Sequence, residues 1–254
     1  MTDDVDVNAL IAAPNFEGQI ALVTGGGKGL GRACVLGLAA AGAKVIAVAR
    51  TESDLKEVQS HYPNNIDYWT EDVMNDALYA KIEALDRLDI LVGCAGGNKP
   101  QPISDITLET IDWMLNINVR AIFRASQSAA KVMLSQGSGS IINMSSQMGH
   151  IGSPNRTLYC TTKHAVEGLT KALAVELAPQ GVRVNAVAPT FIDTPMTRPM
   201  FENAEFKATV ENNIALGHIG KLEDVAAAVM FLASPAAAMI TGESLKVDGG
   251  WTAW

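Results

Sequence analysis

Cysteine is scarce in this chain of 254 residues: Cys34, Cys94 and Cys160 are odd in number and lack metal-ligand spacing. Neither a disulfide framework nor a structural zinc site is built from such a set, so packing and backbone roles are expected of all three. Histidine is equally sparse. His61, His150, His164 and His218 have no metal spacing and no partner serine, and no metal is expected. Long apolar runs are missing too: none reaches the ~18 residues of a membrane span, and no membrane is expected as a partner. Positive charge is in deficit, with 19 Lys and Arg against 27 Asp and Glu and a formal net charge of −8. That sign argues against nucleic acid, and no block of like charge suggests a charged tail. The opening MTDDVDVN is acidic where a secretory or transit segment would be basic, which points to a cytoplasmic protein. Internal repeats and low-complexity segments are absent.

What is present is apolar mass and alternation. A hydrophobic content of 48% supports a large core, and α/β chains of this length commonly form one domain. Strand-like runs occur at QIALVT (19 to 24), KVIAVA (44 to 49), NIDYWT (65 to 70), DILVGCA (89 to 95), SIINMS (140 to 145), VRVNAVA (182 to 188) and ESLKVD (243 to 248). Most are separated by Ala/Leu-rich helical segments. Several are apolar on both parities, as strands covered by helices on both faces are, and strand–helix alternation implies a parallel sheet. The expected architecture is a doubly wound α/β sandwich over residues 17–254, with residues 1–16 a loosely attached N-terminal extension.

In such folds ligands bind beyond the carboxyl ends of the strands, where strand order reverses. The first strand runs into TGGGKGLG, Thr24 to Gly31, and then into the helix-like RACVLGLAAAGA. Glycines let the backbone turn tightly and approach a pyrophosphate, and the following helix N-terminus offers free N–H groups. A Gly-rich βα turn without a ligand is the plain alternative. The strand before the loop and the helix after it favour a Rossmann-type dinucleotide site.

A second motif is YCTTK, residues 159 to 163. On a helix, Tyr159 and Lys163 lie one turn apart on one face. A free phenol has a pKa of about 10 and is a poor base near neutrality; an ammonium one turn away is expected to favour the phenolate. Together with T-G-x-x-x-G-x-G, this pair resembles the short-chain dehydrogenase/reductase family, in its branch of single-domain chains of about this length. The resemblance runs from Phe16 to the terminal VDGGWTAW. It implies a catalytic tetrad of Asn118, Ser146, Tyr159 and Lys163, with Asn116 and Ser145 as neighbours that spacing alone sets aside. Tyr159 exchanges a proton with the substrate oxygen, Ser146 hydrogen-bonds that oxygen, Lys163 also holds the nicotinamide ribose, and Asn118 positions a water. Taken singly, each residue has a plain rival: a turn cap, a buried backbone partner or a half-buried packing residue.

The same resemblance implies a cofactor site of Gly25, Gly27, Lys28, Gly29, Leu30, Gly31, Arg50, Asp72, Val73, Ala95, Gly96, Tyr159, Lys163, Pro189, Ile192 and Thr194. Two departures stand out. The family's N-N-A-G is here Gly93, Cys94, Ala95, Gly96, which removes two asparagine side chains that tie neighbouring strands; and P-G is here Pro189, Thr190, strained if that position needs positive φ. At the end of the second strand Ala49 stands where an NAD-preferring fold carries a carboxylate, and Arg50 and Lys28 add positive charge. NADP(H) is the expected cofactor, with NAD(H) possible; stacking of Arg50 on adenine and a solvated Lys28 are the plain alternative.

The implied activity interconverts a secondary alcohol and a ketone by hydride transfer. Gln147, Met148 and His150 follow Ser146 where the family builds its substrate pocket, and residues 190–220, with Met196, Met200 and Phe201, correspond to its lid. The expected substrate-binding set is Ser146, Met148, His150, Tyr159 and Met196. Gln147, His150 and Asn155 favour a small polar hydroxy or keto compound of sugar, sugar-acid or polyol type. A 3-oxoacyl-carrier-protein reductase is the competing enzyme, disfavoured by the charge of −8. A catalytically silent cofactor-binding regulator is the alternative of another class. The helix containing WMLNINVRAIFRASQSAAKVM and that from Tyr159 to Leu177 carry more apolar and small residues than one buried face needs, and a homotetramer is expected. Trp251 and Trp254 either meet a neighbouring subunit or cover the protomer's own core.

Overall fold

Each of the seven apolar runs forms a strand: β1 (Ile20–Thr24), β2 (Lys44–Ala49), β3 (Ile66–Thr70), β4 (Ile90–Gly93), β5 (Gly139–Met144), β6 (Val182–Pro189) and β7 (Ser244–Val247). The structure, a computed structural model, describes residues 14–195 and 197–254. The strands make one parallel sheet in the order β3-β2-β1-β4-β5-β6-β7. Strand order reverses between β1 and β4, which opens the crevice that a doubly wound sheet offers to a ligand. The run expected to continue to Ala95 stops at Gly93. The N–H groups of Cys94 and Ala95 turn instead to Thr24 Oγ1, at 3.1 and 3.2 Å.

The α-helices among the described residues are α1 (Gly29–Ala40), α2 (Glu52–His61), α3 (Asp76–Glu83), α4 (Leu108–Leu115), α5 (Ala121–Gln136), α6 (Thr157–Leu177), α7 (Arg198–Phe201), α8 (Ala204–Asn213) and α9 (Leu222–Ala233). The period-two geometry of β1 divides the core: Ala21 and Val23 face α1, α2 and α9, whereas Leu22 faces α3, α5 and α6. β4 repeats the division with Ile90 and Val92 on one face and Leu91 on the other. Truncating a fully buried leucine such as Leu38 or Leu91 to alanine costs about 2–5 kcal/mol, so these layers carry most of the stability that positions the site.

Two local features bear on function. Residues Asn116–Arg120 form a π-helical turn between α4 and α5, the kind of one-turn widening that often marks a functional position. Phe16, expected at the edge of a loose extension, is fully buried and donates its N–H to the Ala41 carbonyl at 2.8 Å. An aromatic ring in the α1/α9 layer belongs to the core; of the rest of the expected extension, Pro14 and Asn15 are exposed and residues 1–13 lie outside the described residues.

Candidate active site

The glycine loop is close-packed against two neighbours. Gly25 has φ of 70°, and a β-carbon there would stand 3.1 Å from the Ala95 backbone. At Gly31 a β-carbon would fall 2.2 Å from the Gly25 carbonyl oxygen, so α1 can lie against the loop only if residue 31 has no side chain. The result is a cavity of about 540 Å³ at the strand-order reversal. Gly25, Gly27, Lys28, Gly29, Leu30 and Gly31 form one wall, Arg50, Asp72 and Val73 another, and Ala95 and Gly96 the floor with Thr194 opposite. Backbone N–H groups at the start of α1 and a β-carbon-free approach suit a pyrophosphate. The residues present therefore fit a dinucleotide.

At the outer end of this cavity the expected pair of cations does not stand alone. Lys28 Nζ lies 3.1 Å from Asp54 Oδ2 and Arg50 Nη1 lies 4.0 Å from Asp72 Oδ2; Glu71 also lines the cavity. The sequence reading of cations without carboxylates is thereby corrected, because Asp54 arrives from α2 rather than from the β2 end. Ala49 does leave the strand end without an acidic side chain.

Next to the nucleotide cavity, sharing Leu30, Cys94, Gly96 and Thr194 with it, is a chamber of about 160 Å³ where Ser146, Tyr159, Lys163, Pro189 and Ile192 meet. α6 carries Tyr159 and Lys163 on one face, with Lys163 Nζ 5.6 Å from the phenol ring centroid. The same ammonium donates to the Met144 carbonyl at 2.8 Å, anchoring α6 to the end of β5. Ser146 Oγ accepts the Met148 N–H at 3.2 Å and faces the chamber, whereas Ser145 Oγ is buried beside Glu167 and Gly149. Of the neighbouring serines, Ser146 is thus the one paired with Tyr159.

The electrostatics differ from the sequence expectation. Burial pushes the Tyr159 phenol up to about 12, against a downward pull from the Ser146 hydroxyl and a weaker one from the Arg156 guanidinium. Burial pushes the Lys163 ammonium down to about 8, opposed by Cys94 and Glu167. Desolvation outweighs these favourable contacts, so in the protein by itself Tyr159 is a neutral phenol at pH 7.

Asn118 sits in the π-turn, fully buried, and Asn116 is exposed. The Asn118 amide donates to the Gly97 carbonyl at 2.8 Å and to Thr162 Oγ1 at 3.2 Å, and accepts the Gly97 N–H at 2.8 Å. Its side chain is committed to holding the Gly96–Gly97 loop against α6, which is the buried-backbone role rather than a side-chain grip on water.

A third chamber, about 180 Å³, opens from the second through Asn98, Ser146, Tyr159, Thr190 and Thr197. Met148 and Met200 line it; Met196 lies outside the described residues. His150 does not reach it. Its Nε2 lies 3.0 Å from Ser244 Oγ and 3.3 Å from Glu167 Oε1, because the short 3-10 turn Gln147–Gly149 carries it to the far side, over α6 and β7. Asn155, a residue with φ of 58°, is exposed at the turn before α6. Arg156, Asn98, Thr190 and Phe191 line the chamber and were not anticipated as ligand contacts. The signal for Arg156 was its place three residues before Tyr159, one turn away on the same helical face.

The two departures are accommodated. The Thr24 hydroxyl takes the β4 end in place of the missing asparagine, and Asn143 of β5 bonds Ser126 and Thr170 beside Gly93. Thr190 is not among the positive-φ residues, so its β-carbon brings no strain. Beyond it, Phe191 packs on Phe201, Phe206 and Trp251 with centroids 5.6–6.3 Å apart. Trp251 thus covers the protomer's own 190–220 segment, while Trp254 is 80% exposed. His61 pairs with Glu57, His164 bonds the Cys160 carbonyl, and His218 contacts the Ile219 carbonyl.

Comparison with known proteins finds close similarity along most of the chain. The profile of the family described as enoyl-(acyl carrier protein) reductase matches residues 25–252. L-xylulose reductase of Mus musculus is 40% identical over 237 residues, 93% of this chain and 97% of that protein. D-erythrulose reductase of Gallus gallus is 38% identical over 239 residues, 93% and 97% of the two chains. A gluconate 5-dehydrogenase from Burkholderia cenocepacia, solved in complex with NADP and tartrate, superposes with a TM-score of 0.90 at 29% identity, covering 94% of this chain and 97% of that one.

Proposed function

This chain belongs to the short-chain dehydrogenase/reductase family and is an NAD(P)-dependent oxidoreductase of CH–OH groups; we propose that its substrate is a small polyhydroxylated compound of the sugar, sugar-acid or polyol class. The observation that carries this reading is the concentration of buried polar atoms without a protein partner around the third chamber: Asn98 Oδ1, Gln147 Oε1 and Nε2, Arg156 Nε and Thr190 Oγ1. A buried polar atom left unpaired costs about 1–3 kcal/mol, and a ligand rich in hydroxyls removes that cost at several points at once. The names of the xylulose, erythrulose and gluconate enzymes support the same class.

NADPH bound in the nucleotide cavity would supply the hydride for reduction, and NADP⁺ would take it up in oxidation. The neutral Tyr159 phenol gives its proton to the carbonyl oxygen during reduction and takes one from the alcohol in reverse, and Ser146 Oγ donates to the same oxygen as charge develops there. Lys163 holds the nicotinamide ribose and lends the phenolate its positive field. Asn118 fixes the Gly96–Gly97 loop, which borders both the nucleotide cavity and the chamber beside it. Residues 190–220, which carry Thr190, Phe191 and Met200, close the chamber from above.

NADP(H) is the preferred cofactor in this reading, with NAD(H) accepted. Lys28 and Arg50 are 67% and 71% exposed, and exposed ion pairs such as theirs with Asp54 and Asp72 are worth about 0–1 kcal/mol. A 2′-phosphate offers both cations a stronger, charge-assisted partner. The test is a panel of ketoses, keto aldonates, polyols and 3-oxoacyl thioesters assayed with NADPH and with NADH. Turnover of the polyhydroxylated compounds, more efficient with NADPH, is expected, and Ala49→Asp with Arg50→Ala shifts the preference toward NADH. Turnover confined to the thioesters overturns the substrate class; greater efficiency of the unmodified enzyme with NADH overturns the phosphate assignment.

Leu115, Phe123 and Val175 are 39%, 47% and 80% exposed on α4, α5 and α6. We infer that they bury against further copies of the chain in a homotetramer; a monomer in light scattering at micromolar concentration overturns this.

A further inference from the structure

Apart from Arg156, the arginines among the described residues each reach a carboxylate or, for Arg183, several oxygen atoms, although Arg124 Nε, like that of Arg156, is unbonded. Arg32 pairs with Glu57, Arg87 with Asp89, Arg120 and Arg124 with Asp76, and Arg198 with Asp193. Half-buried Arg183 reaches Ser140 Oγ and the carbonyls of Ala233, Ser234 and Ile240. Arg156 stands apart. It is 9% exposed, its Nη1 donates to the Asn155 carbonyl at 3.3 Å, its Nε has no partner, and it makes no ion pair among the described residues. A guanidinium cannot shed its charge, and an unpaired buried charge is among the costliest arrangements a fold can keep.

The surroundings show what would complete it. Arg156 lines the third chamber beside Tyr159, where Gln147, 1% exposed, also presents an amide with neither atom bonded. It immediately precedes the 21-residue helix α6, whose first turn adds positive potential at this end. Among the described residues no carboxylate lines the chamber; Glu167, a buried acid on α6, is turned to His150 and Ser244 on the far side. Thr190 Oγ1 and Asn98 Oδ1, on the same chamber, suit hydroxyl groups. The geometry therefore offers one charge-assisted anion site and several hydroxyl sites around a single proton donor.

We propose that Arg156, assisted by Gln147, binds a carboxylate of the substrate, so that the compound reduced or oxidised at Tyr159 is a polyhydroxylated keto or hydroxy acid rather than a neutral sugar or polyol. The inference rests on the alcohol–ketone reading above and narrows it to the acid. A planar guanidinium takes a carboxylate through two parallel N–H···O bonds, and hydrogen bonds to a charged group contribute enough to separate acid from neutral analogue by about 10- to 100-fold.

The experiment compares keto aldonates with the ketoses of equal length in which CH₂OH replaces the carboxylate, using NADPH. The acid is expected to be preferred about 10- to 100-fold in kcat/KM, chiefly through KM. In Arg156→Gln that ratio is expected to collapse toward one, and in Gln147→Leu to fall by a smaller factor. A non-reducible hydroxy dicarboxylate such as tartrate is expected to inhibit ketose reduction by the unmodified enzyme competitively, which tests the site even if the Arg156 variant does not fold. Ketoses used as efficiently as the acids, or no inhibition by tartrate, overturns the carboxylate site and leaves the general reading intact. No turnover of either class overturns both.

Discussion

Replacing Tyr159 by phenylalanine is expected to lower kcat by about 10²–10⁴-fold while leaving the fold and cofactor affinity in place. The substitution removes one ionisable oxygen and almost no volume from a half-buried ring at the meeting of the second and third chambers. In energy the loss corresponds to about 3–5 kcal/mol of transition-state stabilisation. The phenol lines both chambers and contacts the Ser146 hydroxyl, which in the proposed mechanism steadies the oxygen as it becomes negative. Kinetics and cofactor titration on the variant decide the matter: substantial residual turnover would remove Tyr159 from the proton-transfer role.

The direction of catalysis colours that expectation. With its phenol pushed up to about 12 by burial, Tyr159 carries its proton at neutral pH and is ready for carbonyl reduction. Alcohol oxidation needs the phenolate, so its rate is expected to rise with pH, whereas reduction, which needs the protonated phenol, is expected not to rise. Positive charge brought close to the ring favours the phenolate and works against the burial.

How much of this was legible beforehand depends on whether the information is local. The strand runs were local, because parity and apolarity along five or six residues specify a covered strand, and the sheet followed once βαβ alternation was recognised. The glycine loop and the Tyr159–Lys163 pair were local for the same reason: a tight turn and a one-turn spacing are properties of adjacent residues. Asp54 was not legible as a partner of Lys28, since the contact spans two elements and depends on how α2 tilts over β2. His150 was misplaced by a single 3-10 turn, which reversed the direction of the chain after Ser146 and delivered the ring to Ser244 and Glu167. The Tyr159 pKa went the other way because desolvation is a property of everything packed around the ring, and sequence spacing reports only the one charge. Arg156 could be placed on the Tyr159 face from spacing, but that it lacked a carboxylate was a fact of the whole fold.

Lys163→Met is the companion expectation, and its signature is split between function and stability. In the proposed mechanism the ammonium has two tasks, holding the nicotinamide ribose and lending charge to Tyr159, so the variant is expected to weaken cofactor binding and to cut turnover by about 10²-fold or more. Because burial holds the Lys163 ammonium at about 8, the charge is present below that pH and lost above it. Cofactor affinity of the unmodified protein is therefore expected to fall as pH rises past about 8, while that of the methionine variant stays level. Stability moves in the opposite sense. An unfolded lysine titrates near 10.4, so between about 8 and 10.4 the unfolded chain holds the proton that the folded one has released, and folding gains with rising pH. Below that window the buried ammonium costs the fold about 3 kcal/mol, a cost that methionine does not incur. The variant is thus expected to be the more stable protein at pH 7, with the advantage shrinking as pH approaches 10.4. Cys94, whose thiol burial pushes up to about 12 against a downward pull from Lys163, stays protonated across this range in both proteins. Chemical denaturation of the two proteins across pH 7 to 10.5 measures that difference. A methionine variant no more stable than the parent at pH 7 would show that Lys163 is satisfied by the Met144 carbonyl and Glu167, and not held at a cost for the sake of the cofactor.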